Sequence, residues 1–555
     1  MTAMKGAQAV LACLREQGVD TIFGYPGGMI LPLYNALYDA KDLRQILVTH
    51  EQNAAHAADG YARASGKVGV CIATSGPGAT NLVTGLGTAF MDSIPIVAIT
   101  GQVDTASLGR DAFQETDILD VTMPVTKHNY KVKSAEELVP TVRAAFAIAR
   151  HGRPGPVLVD VPRDLFFEEV EYTLETPSVK KPGQPDADFL ICVAEAEREI
   201  AEAKQPVVIV GGGVISAGAS KEVQAFIERY HLPVVHTLMG LGAIPRSHPQ
   251  SLGFAGMHGK KAANYAINDA GLVIAIGSRF GDRQTGNLDK YTEGTKFIHI
   301  DIDPAEIDKN VAHSLGLAGD MKTILALLMK REPTSSRADW WAKIHAWEDT
   351  YDYDYQVNRL TVPWAMHSVA KATAGKPYAF ATDVGQHQMW AALHLAIEEP
   401  RTWLTSGGLG TMGFGLPAAM GAQLYYGGSR RVVHVAGDGG IKMTGNEYYT
   451  IARLHLPIIS IIVNNTSLGM IRQLQKVNYN ERYIACEFDY PMDYAKYAES
   501  FGIHAETVDT QEGFAVAFAD AMADATQPHV IVMKVHRSFV EPMIKGSVGE
   551  FVEFK

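Results

Sequence analysis

The chain has 555 residues, of which 47% are hydrophobic and 20% are charged, and its formal net charge is −12 at pH 7. This composition excludes a mainly disordered chain, and the length predicts three to four domains of roughly 150 residues each. The acidic balance argues against a nucleic-acid partner, and four cysteines without a C-x-x-C pair favour the reducing cytoplasm over a disulfide framework.

Short apolar strands alternate with helical patterns in three successive blocks. In the first block we predict strands at residues 21–24, 46–48, 68–73, 94–100 and 156–161, and helices near 31–38, from 51, after 78 and over 136–150. Further strands are predicted at 206–210, 232–236, 271–276 and 296–302, and then at 378–382, 403–405, 431–436, 457–463 and 529–535. Such alternation predicts parallel sheets with helices on both faces.

We therefore predict an α/β chain of three consecutive doubly wound parallel-sheet domains, over residues 1–172, 189–330 and 364–555. Polar linkers separate them at 173–188 and at about 331–363, and the second linker contains a Trp- and Tyr-rich stretch predicted as a surface helix. The longest uncharged run, residues 68–91, carries Pro77 and Asn81 and predicts strand, turn and buried helix. We expect neither a membrane partner nor a secretory signal.

Two Gly-rich turns resemble each other across the chain. Thr74-Ser-Gly-Pro-Gly-Ala-Thr in the first block is similar to Thr405-Ser-Gly-Gly-Leu-Gly-Thr in the third, and each follows a predicted strand. This similarity indicates related first and third domains. Chance is the alternative, because such turns recur between strands and helices of α/β folds.

The most informative motif lies in the third block. Gly437-Asp438-Gly439 follows the strand at 431–436, and after twenty-four intervening residues Asn464-Asn465 ends the next predicted strand. Glycines allow a close approach of backbone to an anion, and carboxylate and amide oxygens suit a divalent cation. Together the two motifs predict a site for Mg²⁺ and a diphosphate, whereas Gly-Asp-Gly alone would indicate only a turn.

This pair of motifs resembles the signature of thiamine-diphosphate (ThDP) enzymes. Glu51 begins a predicted helix just after a strand, where these enzymes carry a glutamate that hydrogen-bonds the aminopyrimidine ring. The alternative for Glu51 is a carboxylate that merely stabilises the helix N-terminus.

A closer resemblance, from about residue 5 to about residue 540, is to acetohydroxyacid (acetolactate) synthase catalytic subunits. The segments that carry it are Gly24–Gly28, Thr74–Asn81, Asp92–Pro95, Ile99–Gln102, Asp111–Glu115, Gly152–Pro156, Asp383–Trp390 and Gly408–Pro417. The resemblance implies pyrimidine-binding, central and diphosphate-binding domains in that order. It also implies a ThDP- and Mg²⁺-dependent carboligase that decarboxylates pyruvate and joins the two-carbon unit to a second 2-keto acid, giving 2-acetolactate.

The resemblance assigns roles to single residues at the thiamine cofactor. Glu51 pairs with the pyrimidine, the Gly410 carbonyl receives its exocyclic amine, and Met412 supports the thiazolium ring. The remaining residues expected at this site are Gln114 for catalysis, Pro26, Gly27, Gln386, His387, Gly437 and Gly439 for cofactor binding, and Asp438, Asn465 and Ser467 for the metal. The cofactor is expected between the first domain of one subunit and the third of another, in a homodimer or tetramer with a possible regulatory small subunit.

The central block resembles the FAD-contacting segments of the same family, where the flavin is structural. The residues expected at FAD are Gly212, Thr237, Leu238, Met257, His258, Arg283, Asp301 and Asp320. Arg279 resembles the arginine that meets the carboxylate of the acceptor. Gly211-Gly-Gly213 alone would indicate no more than a tight turn.

The chain departs from the family pattern in the substrate pocket, where we place Phe113, Phe254 and Leu474. The family usually has Trp where this chain has Leu474, and Met where it has Phe254. This chain has Gly281 where the family usually has Asp. It has Gly440-Ile-Lys-Met443 where the family usually has Ser-Phe-Met-Met. The C-terminal arm reads Lys545-Gly-Ser-Val. We therefore expect intact donor machinery and an altered acceptor pocket.

Three alternatives remain beside a synthase of branched-chain amino acid biosynthesis. One is a related ThDP lyase with another substrate, such as a glyoxylate carboligase or a sulfoacetaldehyde-type enzyme; glyoxylate carboligases lack the glutamate at the Glu51 position. Another is an FAD-dependent oxidase of the pyruvate oxidase type. The third is a catalytically silent homologue, against which Glu51, Asp438 and Asn465 argue.

Overall fold

A computed structural model describes residues 2–176, 186–350 and 353–537 and the two short strands β21 (Met543–Ile544) and β22 (Phe551–Val552). It contains three six-stranded sheets in which all neighbouring strands are parallel, which confirms the predicted three α/β domains. The predicted domain bounds stay a prediction. The C-terminal arm at 545–548 and most of the first linker, 177–185, lie outside the described residues.

The first domain has a parallel sheet in the order β3-β2-β4-β5-β7-β6, and β1 and β8 pair antiparallel at its side. Its strands are β1 (Thr2–Lys5), β2 (Thr21–Gly24), β3 (Arg44–Leu47), β4 (Gly69–Ala73), β5 (Ile96–Gln102), β6 (His128–Lys131), β7 (Val157–Pro162) and β8 (Glu169–Tyr172). Its helices are α1 (Gly6–Glu16), α2 (Leu31–Asp39), α3 (Glu51–Ser65), α4 (Pro77–Thr80), α5 (Val83–Asp92), α6 (Ile118–Thr122) and α7 (Ala135–Arg150). The central strands β4, β5 and β7 are buried throughout, as expected of a sheet covered on both faces.

The central domain has the strand order β11-β10-β9-β12-β13-β14, which is that of dinucleotide-binding folds. Its strands are β9 (Pro206–Val210), β10 (Val234–His236), β11 (Ser251–Phe254), β12 (Leu272–Ile276), β13 (Lys296–Asp301) and β14 (Leu315–Ala318). Its helices are α8 (Ala187–Glu202), α9 (Gly212–Ser216), α10 (Ser220–Tyr230), α11 (Lys261–Asn268), α12 (Asp282–Thr285), α13 (Leu288–Thr292) and α14 (Met321–Leu328), followed by α15 (Ala338–Thr350).

Helix α15 corresponds to the Trp- and Tyr-rich stretch predicted as a surface helix. The helix is present, but Trp340 and Ile344 are buried in the core of the central domain. The indole N–H of Trp340 donates to the Pro206 carbonyl oxygen at 2.9 Å. One face of α15 therefore belongs to that core, and the expectation of a purely superficial helix is corrected.

The third domain has the order β16-β15-β17-β18-β20-β19. Its strands are β15 (Tyr378–Thr382), β16 (Trp403–Leu404), β17 (Arg431–Gly437), β18 (Ile459–Asn464), β19 (His504–Val508) and β20 (His529–Lys534). Its helices are α16 (Val362–Thr373), α17 (Gln386–His394), α18 (Gly415–Tyr426), α19 (Asp438–Thr444), α20 (Tyr448–Arg453), α21 (Gly469–Asn478), α22 (Tyr494–Glu499) and α23 (Gln511–Ala523). None of the helices in the three described ranges is both long and apolar enough to cross a membrane.

The first and third sheets have the same connectivity, with β2 corresponding to β15, β3 to β16 and β4 to β17. This agreement supports the predicted relationship between the two domains. The similar Gly-rich turns, however, are not equivalent, because Thr74 follows β4 whereas Thr405 follows β16, the counterpart of β3. The similarity of these two turns is therefore a coincidence of sequence.

The first and third domains pack directly through helices α3 and α18. A Cβ built on Gly60 would lie 2.2 Å from the Ala418 carbonyl oxygen, and one on Gly421 would lie 1.9 Å from that of Ala57. Only glycine permits this backbone approach. The contact fixes the start of α3, where Glu51 lies, relative to the third domain of the same chain.

Candidate active site

Two strand-end clusters mark the candidate site. In doubly wound sheets, ligands bind beyond the carboxyl ends of the strands where the strand order reverses. In the third domain this point lies between β15 and β17. Residues 383–387 follow β15, residues 437–440 lie at the end of β17, and β18 is the next strand in the sheet. In the central domain it lies between β9 and β12, followed by the glycines at 211–213 and by Gly277.

A single cavity of about 1160 Å³ joins these two points. Ligand sites usually measure about 300–1,000 Å³, so this volume is sufficient for more than one ligand group. The predicted residues that line it are Gly212, Thr237, Leu238, Phe254, Met257, His258, Arg279, Arg283, Asp301, Asp320, Gln386, His387, Gly410, Met412, Gly437, Asp438, Gly439, Asn465, Ser467 and Leu474. Within the described residues, its lining does not include Pro26, Gly27, Glu51, Phe113 or Gln114.

Asp438 is the first residue of α19 and is buried, and its Oδ2 atom has no hydrogen-bond partner among the described residues. Burial raises the pKa of Asp438 to about 7, against the opposing charge of Lys442 and nearby backbone N–H groups. Asn465 is also buried, and its Oδ1 accepts hydrogen bonds from the Ser467 N–H and hydroxyl, both at 3.1 Å. A buried carboxylate oxygen without a donor, beside an oriented amide, fits a divalent cation.

The start of α17 offers a second set of unsatisfied groups. Gln386 Oε1 and His387 Nε2 are buried without partners in the described part of the chain, while Gln386 Nε2 donates to Gln473 Oε1 at 2.7 Å. Burial lowers the pKa of His387 to about 4, which leaves the imidazole neutral. Because the N-terminus of a helix favours anions, the start of α17 fits a diphosphate.

Asp383 lies directly before the cavity-lining residues Val384 and Gly385, and the sequence predictions assigned it no role. Its Oδ1 accepts from the Gly413 N–H at 2.7 Å and from the Val384 N–H at 2.8 Å, and burial raises its pKa to about 7. A Cβ on Gly440 would lie 1.9 Å from Asp383 Oδ2, so the serine usual in the family does not fit here. An acidic residue directly after the predicted strand 378–382 was the available signal.

The loop that carries Gly410 and Met412 runs from Ser406 to Gly413, between β16 and α18. Gly410 has φ +69°, a left-handed conformation that favours glycine. The Met412 methyl lies 3.2 Å from where a Cβ on Gly439 would stand, so Gly439 leaves the room that Met412 occupies.

Glu51 begins α3 in the first domain, and its Oε2 accepts from Asn81 Nδ2 at 2.9 Å. On either side of it, the Thr49 hydroxyl and Asn53 Nδ2 donate to Glu447 Oε2 of the third domain, at 2.8 and 2.6 Å. The sequence predictions missed Glu447. These contacts position the start of α3 without placing Glu51 in the cavity of the same chain.

The part of the cavity where the resemblance places the acceptor combines a cation with apolar side chains. The Arg279 guanidinium has no hydrogen bond or ion pair among the described residues, and burial together with Arg153 lowers its pKa. Phe280, the next residue, has φ 52° and is buried. Leu474 of α21 and Phe254 at the end of β11 line the same cavity. An unpaired guanidinium beside apolar groups suits a small carboxylate.

The comparisons with known proteins agree with this fold and site. Three family models match the chain, and each is described as a domain of thiamine pyrophosphate enzymes. The N-terminal TPP binding domain matches residues 4–121, the central domain matches 193–328 and the C-terminal TPP binding domain matches 383–533. The fold and the site thus define a thiamine pyrophosphate enzyme.

Similarity to individual relatives extends over nearly the whole chain. It is 45% identical to the acetolactate synthase large subunit of Parasynechococcus marenigrum, covering 96% of this chain and 87% of the relative. The corresponding values are 46%, 90% and 83% for an acetolactate synthase of Mycobacterium bovis, and 42%, 98% and 93% for a probable acetolactate synthase large subunit of Methanocaldococcus jannaschii. Within the thiamine pyrophosphate enzymes, the chain belongs to the acetolactate synthase family.

Proposed function

We propose that the chain is a ThDP-dependent carboligase, a transferase that decarboxylates pyruvate and condenses the two-carbon unit with a second 2-keto acid to form 2-acetolactate. The observation that carries this proposal is the unpartnered, buried Asp438 oxygen beside Asn465, in a chain similar throughout to acetolactate synthases. When bound, thiamine diphosphate supplies the nucleophilic carbon that releases CO₂ from the keto acid.

The chain's own residues bind, orient and exclude water around that group. Asp438, Asn465 and the backbone near Ser467 would hold Mg²⁺, and Gln386 and His387 would contact the diphosphate. The Gly410 carbonyl would receive the aminopyrimidine amine, Met412 would support the thiazolium ring, and Arg279 would bind the acceptor carboxylate. Gly437 and Gly439 would allow backbone to approach the diphosphate.

The central part of the cavity would hold FAD in a structural role. The strand order and the Gly-rich turns after β9 and β12 suit a dinucleotide. The lining residues that would contact it are Gly212, Thr237, Leu238, Met257, His258, Arg283, Asp301 and Asp320.

A second copy of the chain would complete the active site. Glu51, Pro26, Gly27, Phe113 and Gln114 are needed for the pyrimidine and the substrate, yet the cavity lining of one chain does not include them. We therefore propose a homodimer or tetramer with sites at the subunit interface. Since relatives are named large subunits, a regulatory small subunit is a further expected partner. The cytoplasmic location stays a prediction.

The function is tested by incubating the purified protein with pyruvate, Mg²⁺, ThDP and FAD. We expect acetolactate as the product, no peroxide, and a flavin absorbance band that persists during turnover, because the flavin is structural. Stoichiometric flavin reduction by pyruvate with peroxide formation would instead identify an oxidase. Release of acetaldehyde alone, or the use of another aldehyde acceptor, would identify a different lyase.

The acceptor preference depends on Leu474, which lines the cavity where the family's Trp stands. One methylene in an apolar pocket contributes about 1–3 kcal/mol of discrimination. Without the indole, we expect little preference for 2-ketobutyrate over pyruvate. Leu474→Trp should raise the ratio of acetohydroxybutyrate to acetolactate in a competition between the two keto acids.

The volume-conserving Leu474→Met is the matched control and should leave the ratio unchanged. Phe254 lines the same cavity, so Leu474→Trp combined with Phe254→Met relieves any overpacking. A strong preference for 2-ketobutyrate in the unmodified protein contradicts the argument.

A further inference from the structure

The loop at 406–413, which we call the Gly410 loop, is held by one acidic side chain of another domain. The N–H groups of Gly407 and Gly408 donate to Asp92, the first to Oδ2 at 3.1 Å and the second to Oδ1 at 2.7 Å. Asp92 is the last residue of α5 in the first domain. Both of its carboxylate oxygens are thus directed at two successive backbone donors just before Gly410.

Asp92 belongs to a buried group of charges. Arg63 Nη2 donates to Asp92 Oδ2 at 2.9 Å, and Arg63 also pairs with Asp59. The side chains of Asp92 and Asp59 are 0% exposed and that of Arg63 is 5% exposed. Arg63 Nη1 donates to the Thr405 carbonyl oxygen at 2.9 Å, directly before the loop. A paired buried carboxylate holds its donors more strongly than a solvated one.

Helix α5 contacts the loop a second time. The hydroxyls of Thr88 and Thr411 lie 2.7 Å apart, and Thr411 stands between Gly410 and Met412. Thr88 and Asp92 are four residues apart and therefore share one face of the helix. This face meets the Gly410 loop on both sides of Gly410.

Close packing around Gly407 and Gly408 restricts the position of the start of the Gly410 loop. A Cβ on Gly408 would lie 2.9 Å from the Met91 Cβ, and a Cβ on Gly407 would lie 2.3 Å from the Met239 sulfur. The first and central domains therefore enclose the start of the loop.

We propose that Asp92, supported by Arg63 and by Thr88 on the same helix, is a positioning residue that sets the Gly410 carbonyl and Met412 for the thiamine cofactor. The inference rests on the proposed function, because it assigns the loop to that cofactor. Through Asp92, the first domain of a chain would act on the diphosphate half of its own site, in addition to supplying Glu51 to the site of a partner.

The test is Asp92→Asn, with Asp59→Asn as the matched control. An amide has one acceptor oxygen and one donor nitrogen, so the substitution at Asp92 places an NH₂ group against either Gly408 or the pair Gly407 and Arg63. Asp59 shares the buried Arg63 but touches no part of the loop. Asp104→Asn, which alters a partly exposed ion pair with Arg163 of the same domain, controls for loss of an aspartate charge.

The first readout needs no cofactor. Amide hydrogen exchange of a peptide covering 406–413 should be at least about tenfold faster in Asp92→Asn than in wild type or either control. The second is exchange of the C2 proton of bound thiamine diphosphate in Mg²⁺ buffer, without keto acid. It should slow by about tenfold to a hundredfold, because a small misplacement has effects of that size, while ThDP affinity stays within about threefold.

Unchanged loop exchange or unchanged C2 exchange in folded Asp92→Asn would overturn the inference, as would equal losses in Asp59→Asn. If Asp92→Asn does not fold, Thr88→Val removes the second contact without burying an unpaired charge. It should accelerate exchange at Thr411 and slow C2 exchange several-fold, and no change in either would overturn the inference. Because neither readout uses a keto acid, failure of the proposed acetolactate activity is detected separately.

Discussion

Glu51→Gln should reduce turnover of pyruvate by about two to four orders of magnitude, the range that general acid–base groups contribute. The carboxylate is expected to hold and move a proton at the aminopyrimidine ring, and an amide of the same volume has no comparable basicity. The Asn81 Nδ2 donor, 2.9 Å from Glu51 Oε2, retains an acceptor in the amide oxygen of the variant. The fold and the diphosphate site should therefore be unchanged. Steady-state kinetics, thermal unfolding and ThDP titration measure the three quantities.

The matched control is Glu136→Gln, which removes an acidic side chain from the first turn of α7 in the same domain. It reproduces the loss of a carboxylate at a helix N-terminus, which is the alternative role for Glu51. If Glu51 only stabilises its helix, the two variants should behave alike. Activity close to wild type in folded, cofactor-loaded Glu51→Gln would refute the thiamine assignment.

The sequence predicted the inner strands of each six-stranded sheet and the edge strands β3 and β16, and it missed the other four edge strands. β6, β11, β14 and β19 were not predicted, and each lies at the edge of its sheet. An edge strand is covered on fewer sides, and β6 (His-Asn-Tyr-Lys) and β19 (His-Ala-Glu-Thr-Val) accordingly carry polar residues. β11 (Ser-Leu-Gly-Phe) and β14 (Leu-Gly-Leu-Ala) are short apolar strands, and each is interrupted by a glycine, which weakens a strand pattern. The inner strands are recognisable as continuous apolar runs in the sequence, because both of their faces are buried.

Motifs at the ends of inner strands located Asp438 and Asn465, because parallel strands bring their carboxyl ends to one edge of a sheet. Asp92 and Glu447 could not be assigned in this way. Each acts on a segment hundreds of residues distant, Asp92 on Gly407 and Glu447 on Thr49, and no local pattern encodes the pairing. The packing of α3 against α18 brings the first and third domains together, and no pattern in the sequence predicts that packing.

The second large effect is expected at the proposed metal site. Asp438→Ala should weaken binding of Mg²⁺ and ThDP together, by more than the roughly tenfold to hundredfold typical of losing a residue that only supports a metal ligand. Of the two side chains expected to hold the ion, only Asp438 can neutralise its charge, because Asn465 is an uncharged amide. ThDP titrations at several Mg²⁺ concentrations should show that both affinities fall.

In the protein without cofactor, Asp438→Ala should not lower the stability of the fold. Asp438 Oδ2 is buried without a hydrogen-bond partner among the described residues, and an unsatisfied buried polar atom costs free energy. Asp438→Ala should therefore leave the thermal midpoint of the cofactor-free protein unchanged or higher, while abolishing most of the rise produced by Mg²⁺ and ThDP.

Asp383→Ala is the matched contrast, since Asp383 is equally buried but accepts hydrogen bonds from the Gly413 and Val384 N–H groups. Its loss leaves those donors unsatisfied and should lower the midpoint without cofactor. A ThDP affinity unchanged by Asp438→Ala, or a large loss of stability in the cofactor-free variant, would show that Asp438 is a structural residue and that the metal lies elsewhere.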